Sequence, residues 1–456
     1  MSLQRVLLAV HHYPPRRVGG AELLTQRLAR WLTRHGVQVR VVCVENVERG
    51  SATKIHARDE MDGAVQVQRL DVTFAPEQRL PLWFDEPALR EQFALLCADW
   101  RPDIVHLVSG YLMGTAPLDA ARSHNIASVV TLTDFWFLCP TIQLLRGDGS
   151  LCAGPEALEC ARCLYDERRV FRTIDRRAPN VMRAFWKTAN AQTWLGASLG
   201  LPPILHSLHT RRDTLIHALN QADAIISLTR FLADLHIANG VTREKFFIKP
   251  DCIEPSDFDA VEFRPPRTDE IHFGYLGQIT PIKGVDVLLR AFLEVEKKTK
   301  KPIHLHVYGN TNAEPSYAGA LQHIAGDASN ITFHGAYEHR RALALMNEMS
   351  VIVVPSLWYE NSPRVIFEAF AAKRPVIGTR VGGIAEVVRD KENGLLFERD
   401  SVQDLARVML RVVQEPALLH DLAQNIPAPR TLDEDMRDVL RVYETVMPRA
   451  AVETPR

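Results

Sequence analysis

The sequence lacks two features that would point to particular classes of protein: a large net charge and a long apolar run. Lys and Arg total 54 against 55 Asp and Glu among 456 residues, a balance that argues against a general nucleic-acid binder. The longest stretch without a charged residue, Thr188–Thr210, contains Asn, Gln, Gly, Pro and His, so it is a poor membrane-spanning helix. The apolar run Val6–Val10 is too short for a signal-peptide core. We therefore expect a cytoplasmic globular protein.

Short apolar segments alternate with amphipathic segments of helical period along the whole chain, a pattern typical of α/β folds with parallel sheets. In the clearest unit, a strand at Val6–Val10 precedes a helix that begins near Ala21 and ends at Gly36. The next strand is predicted at Val37–Val44. The remaining predicted strands of a first series are Val65–Leu70, Ile104–Leu107, Ser128–Thr133 and Ala224–Ser227. A second series begins near Ile271 and continues through His304–Val307, Ile331–Phe333, Val351–Val354 and Val376–Ile377.

The two series are separated by Glu254–Glu270, a polar segment that contains prolines and has no clear periodicity. Such a composition is typical of a linker. The sequence therefore predicts two doubly wound domains with a hinge at 255–270.

Two loops that are predicted to follow strands carry residues suited to binding a phosphate. Ligands of open parallel sheets bind beyond the carboxyl ends of the strands. Gly19 and Gly20 precede a helix, where backbone N–H groups can approach an anion, although a plain strand–helix turn explains them equally well. Lys283 also precedes a predicted helix and could neutralise a phosphate, although a lysine at a helix start is commonly only solvated.

The loop after the predicted strand Val351–Val354 is the most informative. Ser362 is a good helix N-cap and Pro363 fits the first helical position, so the N–H groups of a new helix could hold a diphosphate. Glu360 lies before this helix and Glu368 within it. Two carboxylates beside a phosphate can accept hydrogen bonds from sugar hydroxyls, whereas the alternative is one capping carboxylate and one unrelated glutamate.

The segment Glu360–Glu368 resembles the E-x7-E motif of retaining glycosyltransferases, family 4 in particular, which have two Rossmann-like domains (GT-B architecture). Other segments resemble the same family in the same order: Gly19–Glu22, Pro102–His106, Lys283–Asp286, Pro375–Ile377, Gly382-Gly383, Glu386 and Asn393–Phe397. The resemblance implies an α/β fold of two doubly wound domains that face each other across a cleft. The implied domains are 1–255 on the acceptor side, 256–430 on the nucleotide-sugar side and a helix in 431–456 that crosses back to the first domain.

The resemblance also implies a function. A sugar would move from a nucleoside-diphosphate sugar to a hydroxyl acceptor with retention of configuration, in the biosynthesis of a glycan, polysaccharide or glycolipid. Glu368 would bind the ribose hydroxyls, Glu360 would lie near the transferred sugar and Lys283 would clamp the diphosphate. The donor site would further include Gly19, Gly20, Gln278, Asn361 and Ser362. Because no Asp-x-Asp pair lies in a suitable loop, catalysis would need no metal cofactor.

Two positions depart from the family pattern. Gln278 stands where the family often has arginine, which leaves the diphosphate clamp one positive charge short. Thr133-Asp134 stands where the family often has His-Asp, so Asp134 is the remaining candidate for a polar, catalytic contact with the acceptor. Two alternatives follow: a nucleotide-sugar-binding protein that has weak or no transferase activity, and a nucleotide-sugar 2-epimerase or related phosphorylase.

Four of the seven cysteines fall within 25 residues. They are Cys139, Cys152, Cys160 and Cys163. The C-x2-C spacing of the last two lets a pair of thiolates bind one tetrahedral ion. We expect a structural Zn²⁺ in this Cys-rich loop (139–163), with an iron–sulfur cluster, disulfides and unliganded thiols as alternatives.

The segment 162–212 is rich in basic residues, which are interleaved with aromatic ones. The basic residues include Arg168, Arg169, Arg172, Arg176, Arg177, Arg183 and Lys187, and the aromatic ones are Phe171, Phe185, Trp186 and Trp194. Either this is a solvated helical insertion whose aromatic rings are core, the favoured interpretation, or it is an interfacial element that reaches a lipid-linked acceptor. The second interpretation would place the protein peripherally at the inner membrane face.

Overall fold

The computed structural model describes residues 3–75, 82–166 and 169–447. The chain divides into two compact units. Unit 1 consists of Met1–Lys249 with Met436–Arg456, and unit 2 of Pro250–Asp435. Residues 448–456 of the predicted last segment, and Arg168 of the predicted basic insertion, lie outside the described residues.

Unit 1 contains a largely parallel sheet of order β3-β4-β2-β1-β5-β6-β7-β8 in which only β3 is antiparallel to its described neighbour. Its strands are β1 (Arg5–Val10), β2 (Gln38–Arg49), β3 (Lys54–Asp62), β4 (Val65–Phe74), β5 (Ile104–Leu107), β6 (Ala127–Leu132), β7 (Ala224–Ser227) and β8 (Phe246–Ile248). Its helices are α1 (Gly20–Arg34), α2 (Pro87–Trp100), α3 (Ala116–Ser123), α4 (Ala157–Tyr165), α5 (Arg169–Arg177), α6 (Pro179–Ala191), α7 (Thr193–Ser198), α8 (Leu201–Gln221) and α9 (Arg230–Ala238).

Unit 2 contains a second parallel sheet, of order β11-β10-β9-β12-β13-β14. Its strands are β9 (Ile271–Leu276), β10 (Ile303–Tyr308), β11 (Ile331–Gly335), β12 (Val351–Val354), β13 (Val376–Thr379) and β14 (Gly394–Phe397). Its helices are α10 (Val285–Glu296), α11 (Pro315–Ala325), α12 (Ala342–Asn347), α13 (Arg364–Ala371), α14 (Gly382–Val387), α15 (Val402–Gln414) and α16 (Ala417–Gln424).

The last described helix, α17 (Leu432–Val446), starts at the end of unit 2 and continues into unit 1. Its Met436 and Tyr443 are fully buried. The hydroxyl of Tyr443 lies 2.7 Å from Nδ1 of His106 on β5, and burial lowers the pKa of His106 to about 3. His106 is therefore a neutral histidine that ties α17 to the first sheet.

The structure confirms the predicted α/β class with two parallel sheets. The β1–α1–β2 unit is present, and Gly36 follows α1 with a φ of +83°, as a helix-ending glycine requires. One prediction about a helix start is wrong: α13 begins at Arg364 with Pro363 as its N-cap, and the side chain of Ser362 does not cap it. In the described ranges, no helix combines the length and the apolar character needed to cross a bilayer.

Candidate functional site

Each sheet has a point at which the strand order reverses, and ligands of such sheets bind beyond the carboxyl ends of the strands at that point. In unit 2 the chain runs outward from β9 through β10 to β11 and then returns to place β12 beside β9. The loops after β9 and β12 therefore emerge side by side. Lys283 lies in the first loop and Glu360 in the second, so the fold brings these two predicted residues together.

Glu360 is the centre of a hydrogen-bond network at the carboxyl end of β12. Its Oε1 accepts hydrogen bonds from Lys283 Nζ at 2.6 Å, from Ser356 Oγ at 2.8 Å and from Trp358 Nε1 at 2.9 Å. The ammonium of Lys283 also lies 5.5 Å from the centre of the Trp358 ring. Glu360 is only 7% exposed, and burying a carboxylate is costly without such a cation and such donors beside it. Sequence reasoning missed Ser356 and Trp358, which carry no spacing signal.

Gly284 lets the loop after β9 pack against the loop after β12. Its φ is +67°, and a Cβ at this position would overlap the carbonyl oxygen of Pro355. The two loops are further joined by a hydrogen bond from the Leu357 N–H to the carbonyl oxygen of Ile282, at 2.8 Å. The glycine after Lys283 thus fixes where the lysine lies.

Gly383 lets the loop after β13 pack closely against the loop after β12. A Cβ on Gly383 would collide with the carbonyl oxygen of Asn361. Its N–H donates to the carbonyl oxygen of Glu360 at 2.7 Å. This glycine therefore holds the backbone on which Glu360 and the buried Asn361 are mounted.

Glu368 lies on α13, is 3% exposed and has basic neighbours. Its Oε1 is 3.8 Å from Nε of Arg364, one helical turn earlier, and 3.7 Å from Nε2 of His339. Burial, together with the charge of Glu368, raises the pKa of Tyr337 above its ordinary value. Residues from the β11–α12 connection thus surround this carboxylate, and sequence reasoning did not single them out.

Two buried hydroxyl groups near the loops after β9 and β12 have no hydrogen-bond partner among the described residues. They belong to Thr280 and Ser362. A buried polar atom of this kind has unused capacity to bind a ligand. The side chain of Gln278, by contrast, is exposed, and its carbonyl oxygen accepts a hydrogen bond from the Tyr275 hydroxyl at 2.6 Å.

Unit 1 carries a polar cluster at the corresponding point of its sheet, where the order reverses between β1 and β5. Gly19 is the N-cap of α1 and Gly20 its first residue. Nε2 of His11 lies 3.3 Å from Oε1 of the buried Glu22. Burial opposes ionisation of Glu22, but the hydrogen bond and charge of His11 outweigh it, so the pKa of this carboxyl is lowered. Neither His11 nor the pairing role of Glu22 was predicted.

Asp134 lies just after β6 in the same unit. Its Oδ2 accepts a hydrogen bond from Ser109 Oγ at 3.1 Å, and its Oδ1 accepts one from the Trp136 N–H at 2.8 Å. The hydroxyl of Thr133 donates to the carbonyl oxygen of Val108 at 3.2 Å. Asp134 is thus held as a hydrogen-bond acceptor with a fixed orientation at the carboxyl ends of β5 and β6.

The four clustered cysteines are all free thiols, and they lie near one another in unit 1. Burial and then the charge of Cys139 raise the pKa of Cys160 to about 12, and the same causes raise that of Cys163. Within the described ranges, however, no three of the sulfur atoms lie within 4.8 Å of one another. Sulfurs in a tetrahedral site with Zn–S bonds of about 2.3 Å lie about 3.8 Å apart. The present arrangement is therefore looser than a zinc site.

The basic insertion forms helices α5 to α8. The ring of Trp186 is buried, and Phe171 and Phe185 pack against the same apolar cluster, whereas Trp194 is 69% exposed. The guanidinium of Arg162 is buried and donates to Asp175 Oδ1 at 2.8 Å. Most of the aromatic rings are therefore core, as the favoured interpretation predicts.

Comparison with known families matches a Glycosyl transferase 4-like domain to residues 19–178 and a Glycosyl transferases group 1 domain to residues 270–415. The D-inositol 3-phosphate glycosyltransferase of Rhodococcus erythropolis is 27% identical over 265 residues, which are 51% of this chain and 60% of that protein. An uncharacterized glycosyltransferase of Methanocaldococcus jannaschii is 30% identical over 157 residues, 34% of this chain and 42% of that protein. The chain thus matches less than two thirds of the length of these relatives.

Solved structures resemble the fold over nearly the whole chain. A glycosyltransferase from Rickettsia africae has a TM-score of 0.63 at 13% identity and covers 99% of this chain and 100% of its own. The sucrose-phosphate synthase of Thermosynechococcus elongatus has a TM-score of 0.60 at 17% identity, with 97% and 96% covered. The Anabaena protein HepE, solved with UDP and glucose, has a TM-score of 0.59 at 15% identity, with 97% and 100% covered. At these identities the likeness shows the fold, two Rossmann-like domains of GT-B architecture.

Proposed function

We propose that this chain, which belongs to the glycosyltransferases of GT-B architecture, transfers a sugar from a nucleoside-diphosphate sugar to a hydroxyl group of an acceptor. The observation that carries the proposal is the Lys283–Glu360 pair. It lies where the strand order of unit 2 reverses, within the segment that matches the group 1 glycosyltransferase domain. A cation and a carboxylate side by side suit a ligand that has both phosphates and sugar hydroxyls.

The donor is assigned to unit 2. Lys283 would release part of its bond to Glu360 and bind the diphosphate, with the unpartnered hydroxyls of Thr280 and Ser362 as further donors to the phosphate oxygens. Glu368 would accept hydrogen bonds from the ribose hydroxyls. The HepE structures with UDP and with UDP-glucose support a donor of this class.

The chemical step follows from the charge that develops on the leaving group. As the bond from the sugar to the diphosphate breaks, negative charge grows on the phosphate, and a preorganised cation stabilises that charge more than it stabilises the ground state. Lys283 supplies this cation, so the proposed catalysis needs no metal. We further propose that configuration is retained, with the donor phosphate accepting the proton of the acceptor hydroxyl and Glu360 orienting the sugar.

The acceptor is assigned to unit 1, where Asp134 is the fixed hydrogen-bond acceptor for an incoming hydroxyl. Backbone N–H groups of Gly19 and Gly20, at the start of α1, are suited to bind a phosphate group of a ligand held by unit 1. The relatives named for D-inositol 3-phosphate suggest a phosphorylated polyol as the first acceptor class to screen. Other acceptors are a glycan and a lipid-linked sugar.

Thermal unfolding with nucleoside diphosphates tests the donor assignment. A ligand at about 100 times its Kd stabilises the native state by about 2.7 kcal/mol. We expect one of UDP, GDP and ADP to raise the Tm of the full chain. The corresponding monophosphate should raise it less, because Lys283 then has no diphosphate to bind.

A transfer assay with the matching nucleotide sugar then tests the reaction. Release of nucleoside diphosphate that depends on an added acceptor supports a transferase. Binding without release supports a nucleotide-sugar-binding protein, and an epimerised sugar supports a 2-epimerase. If none of the diphosphates changes the Tm, the donor assignment is wrong.

A further inference from the structure

Four histidines lie on one face of the unit 2 sheet. They are His272 on β9, His304 and His306 on β10, and His334 on β11. On β10 the alternate residues Leu305 and Val307 are buried in the core, so the histidines point to the opposite face. His272 and His304 are directly paired in the parallel register of β9 and β10, and their rings stack with centroids 4.7 Å apart.

We propose that Glu270, His272 and His304 bind a divalent first-row transition-metal ion at the amino-terminal edge of this sheet. Their ligand atoms all lie within 4.8 Å of one another. Nε2 of His272 is 3.2 Å from Glu270 Oε1, and Nε2 of His304 is 3.6 Å from Glu270 Oε2. With metal–ligand bonds of about 2.0 to 2.1 Å, tetrahedral ligand atoms lie about 3.3 Å apart. The two observed carboxylate–imidazole separations are thus close to those of a metal site.

The ligand chemistry selects the ion. Imidazole nitrogens with one carboxylate suit Zn²⁺, Co²⁺, Ni²⁺ and Cu²⁺ better than Mg²⁺ or Ca²⁺, which prefer oxygen ligands only. The side chains of His304 and Glu270 are 37% and 34% exposed, so an ion can enter from solvent and keep water as a further ligand.

The neighbouring histidines orient the ligand His272. Its Nδ1 lies 2.9 Å from His306 Nε2, and Nδ1 of His306 lies 3.0 Å from His334 Nε2. If Nε2 of His272 binds a metal, the ring proton must be on Nδ1, which then donates to His306. Such a hydrogen bond fixes the tautomer and ring orientation of a metal ligand.

The guanidinium of Arg267 lies beside two of the proposed ligands, Glu270 and His272, and would compete with a metal ion for them. Its Nη1 donates to Glu270 Oε1 at 2.7 Å and lies 3.4 Å from His272 Nε2. Because its side chain is 47% exposed, it can rotate into solvent when an ion binds. Removal of the guanidinium should therefore strengthen metal binding.

Titration of the full chain with Co²⁺ and Zn²⁺, after dialysis against a chelator, tests the site. We expect binding that His304→Ala and His272→Gln each weaken at least tenfold, and that Arg267→Ala strengthens severalfold. His323→Ala, an exposed histidine at the end of α11, is the matched control and should bind like the unaltered chain.

The cobalt spectrum separates this site from the cysteines, because thiolate ligands add an intense charge-transfer band that imidazole and carboxylate do not. The affinity for nucleoside diphosphate should stay unchanged in all four variants, since the site lies at the opposite ends of the strands from Lys283. Undiminished cobalt affinity in both His304→Ala and His272→Gln, with their folds intact by circular dichroism, would overturn the proposal.

Discussion

The two sheets have matching strand orders around their reversal points, yet the connections between equivalent strands differ greatly in length. The connection from β13 to β14 spans residues 380–393, whereas the equivalent one in unit 1, from β6 to β7, spans residues 133–223. In unit 2 the short connection packs its glycines against the backbone of Glu360. In unit 1 the long connection contains the four clustered cysteines and helices α4 to α8. These helices have an apolar cluster of their own.

Short and long connections constrain a neighbouring binding site in different ways. A short connection has no core of its own, so its backbone must follow the neighbouring loops, and every close contact there constrains the site. A long connection with its own apolar cluster can change without disturbing the sheet beneath it. We therefore infer that the proposed donor site of unit 2 is more tightly constrained by its backbone contacts than the insertion of unit 1 is.

The largest effect is expected from Lys283→Met. Loss of one preorganised charge-stabilising group lowers kcat about 10²- to 10³-fold, or about 3 kcal/mol, because the leaving phosphate loses its cation. Steady-state kinetics with the donor identified by thermal shift measures this. Lys298→Met is the matched control: Lys298 pairs with Glu294 at 3.8 Å but is 58% exposed just beyond the far end of α10, so activity should be unchanged.

The double variant Lys283→Met/Glu360→Gln separates electrostatics from folding, because it removes the buried carboxylate charge that Lys283→Met leaves without its cation. If the double variant recovers stability and its kcat still lies well below that of Glu360→Gln alone, the role of Lys283 in the reaction stands. If Lys283→Met alone retains more than about a third of the normal kcat, the lysine does not act on the leaving group.

The same comparison explains how far the sequence could predict the structure. Strands β5, β7 and β12 have the predicted bounds, since their apolar runs end sharply at loops. Strand β3 was missed because its residues are exposed and charged, and only pairing with β4 at the sheet edge makes it a strand. A four-residue apolar run carries its own signal, whereas an edge strand depends on its partner.

The residues of the candidate site were likewise predictable only where the signal lies within one segment of the sequence. The spacing of Glu360 and Glu368 was visible in the sequence, and so was the Lys283–Gly284 pair. The bonds from Ser356 and Trp358 to Glu360 were not, because they depend on how two loops meet. The prediction that Ser362 caps α13 failed because the helix starts one residue later than expected, behind Pro363. The paired register of His272 and His304 likewise appears only once the strands are assembled.

A smaller effect, about tenfold, is expected on the affinity for anionic membranes when exposed apolar residues of the insertion are replaced. The insertion exposes Val170, Val181 and Trp194, which are 67%, 63% and 69% accessible, among its arginines. Apolar side chains flanked by basic ones favour binding to anionic bilayers. Trp194→Ala with Val181→Ser should weaken binding to phosphatidylserine vesicles at low salt about tenfold, since partial burial of each lost side chain contributes about 0.7 kcal/mol, about half the value for full burial, and about 1.4 kcal/mol in total is a factor of ten.

Leu95→Ser is the control for this measurement, because Leu95 is a 62% exposed apolar residue of α2, outside the insertion. Added salt should weaken the binding of the unaltered chain, since the arginine contribution is screened. If the unaltered chain does not sediment with anionic vesicles, the insertion is a solvated element only and the acceptor is reached from solution.

The smallest effect on turnover is expected from chelating the Zn²⁺ that we propose for the four clustered cysteines, and this test again contrasts the two units. Burial and mutual repulsion disfavour the thiolate forms of Cys160 and Cys163, and among the residues that the structure describes no three sulfurs are close enough for zinc. A Zn²⁺ ion would reverse both conditions, because it binds thiolates and draws them to about 3.8 Å from one another. Since raised thiol pKa values mean that more protons must leave on binding, zinc affinity should fall steeply as the pH is lowered.

We expect about one zinc per chain by elemental analysis, lost in Cys160→Ser and kept in Cys97→Ser, whose cysteine lies on α2. Chelation should lower the Tm of unit 1 and raise the acceptor KM severalfold, because the Cys-rich loop, whose first ligand Cys139 follows Asp134 by five residues, then loses its order. The nucleoside diphosphate affinity of unit 2 should not change. Less than about a tenth of a zinc per chain, four titratable thiols and no colour in the purified protein would contradict the metal and leave burial alone to order this insertion.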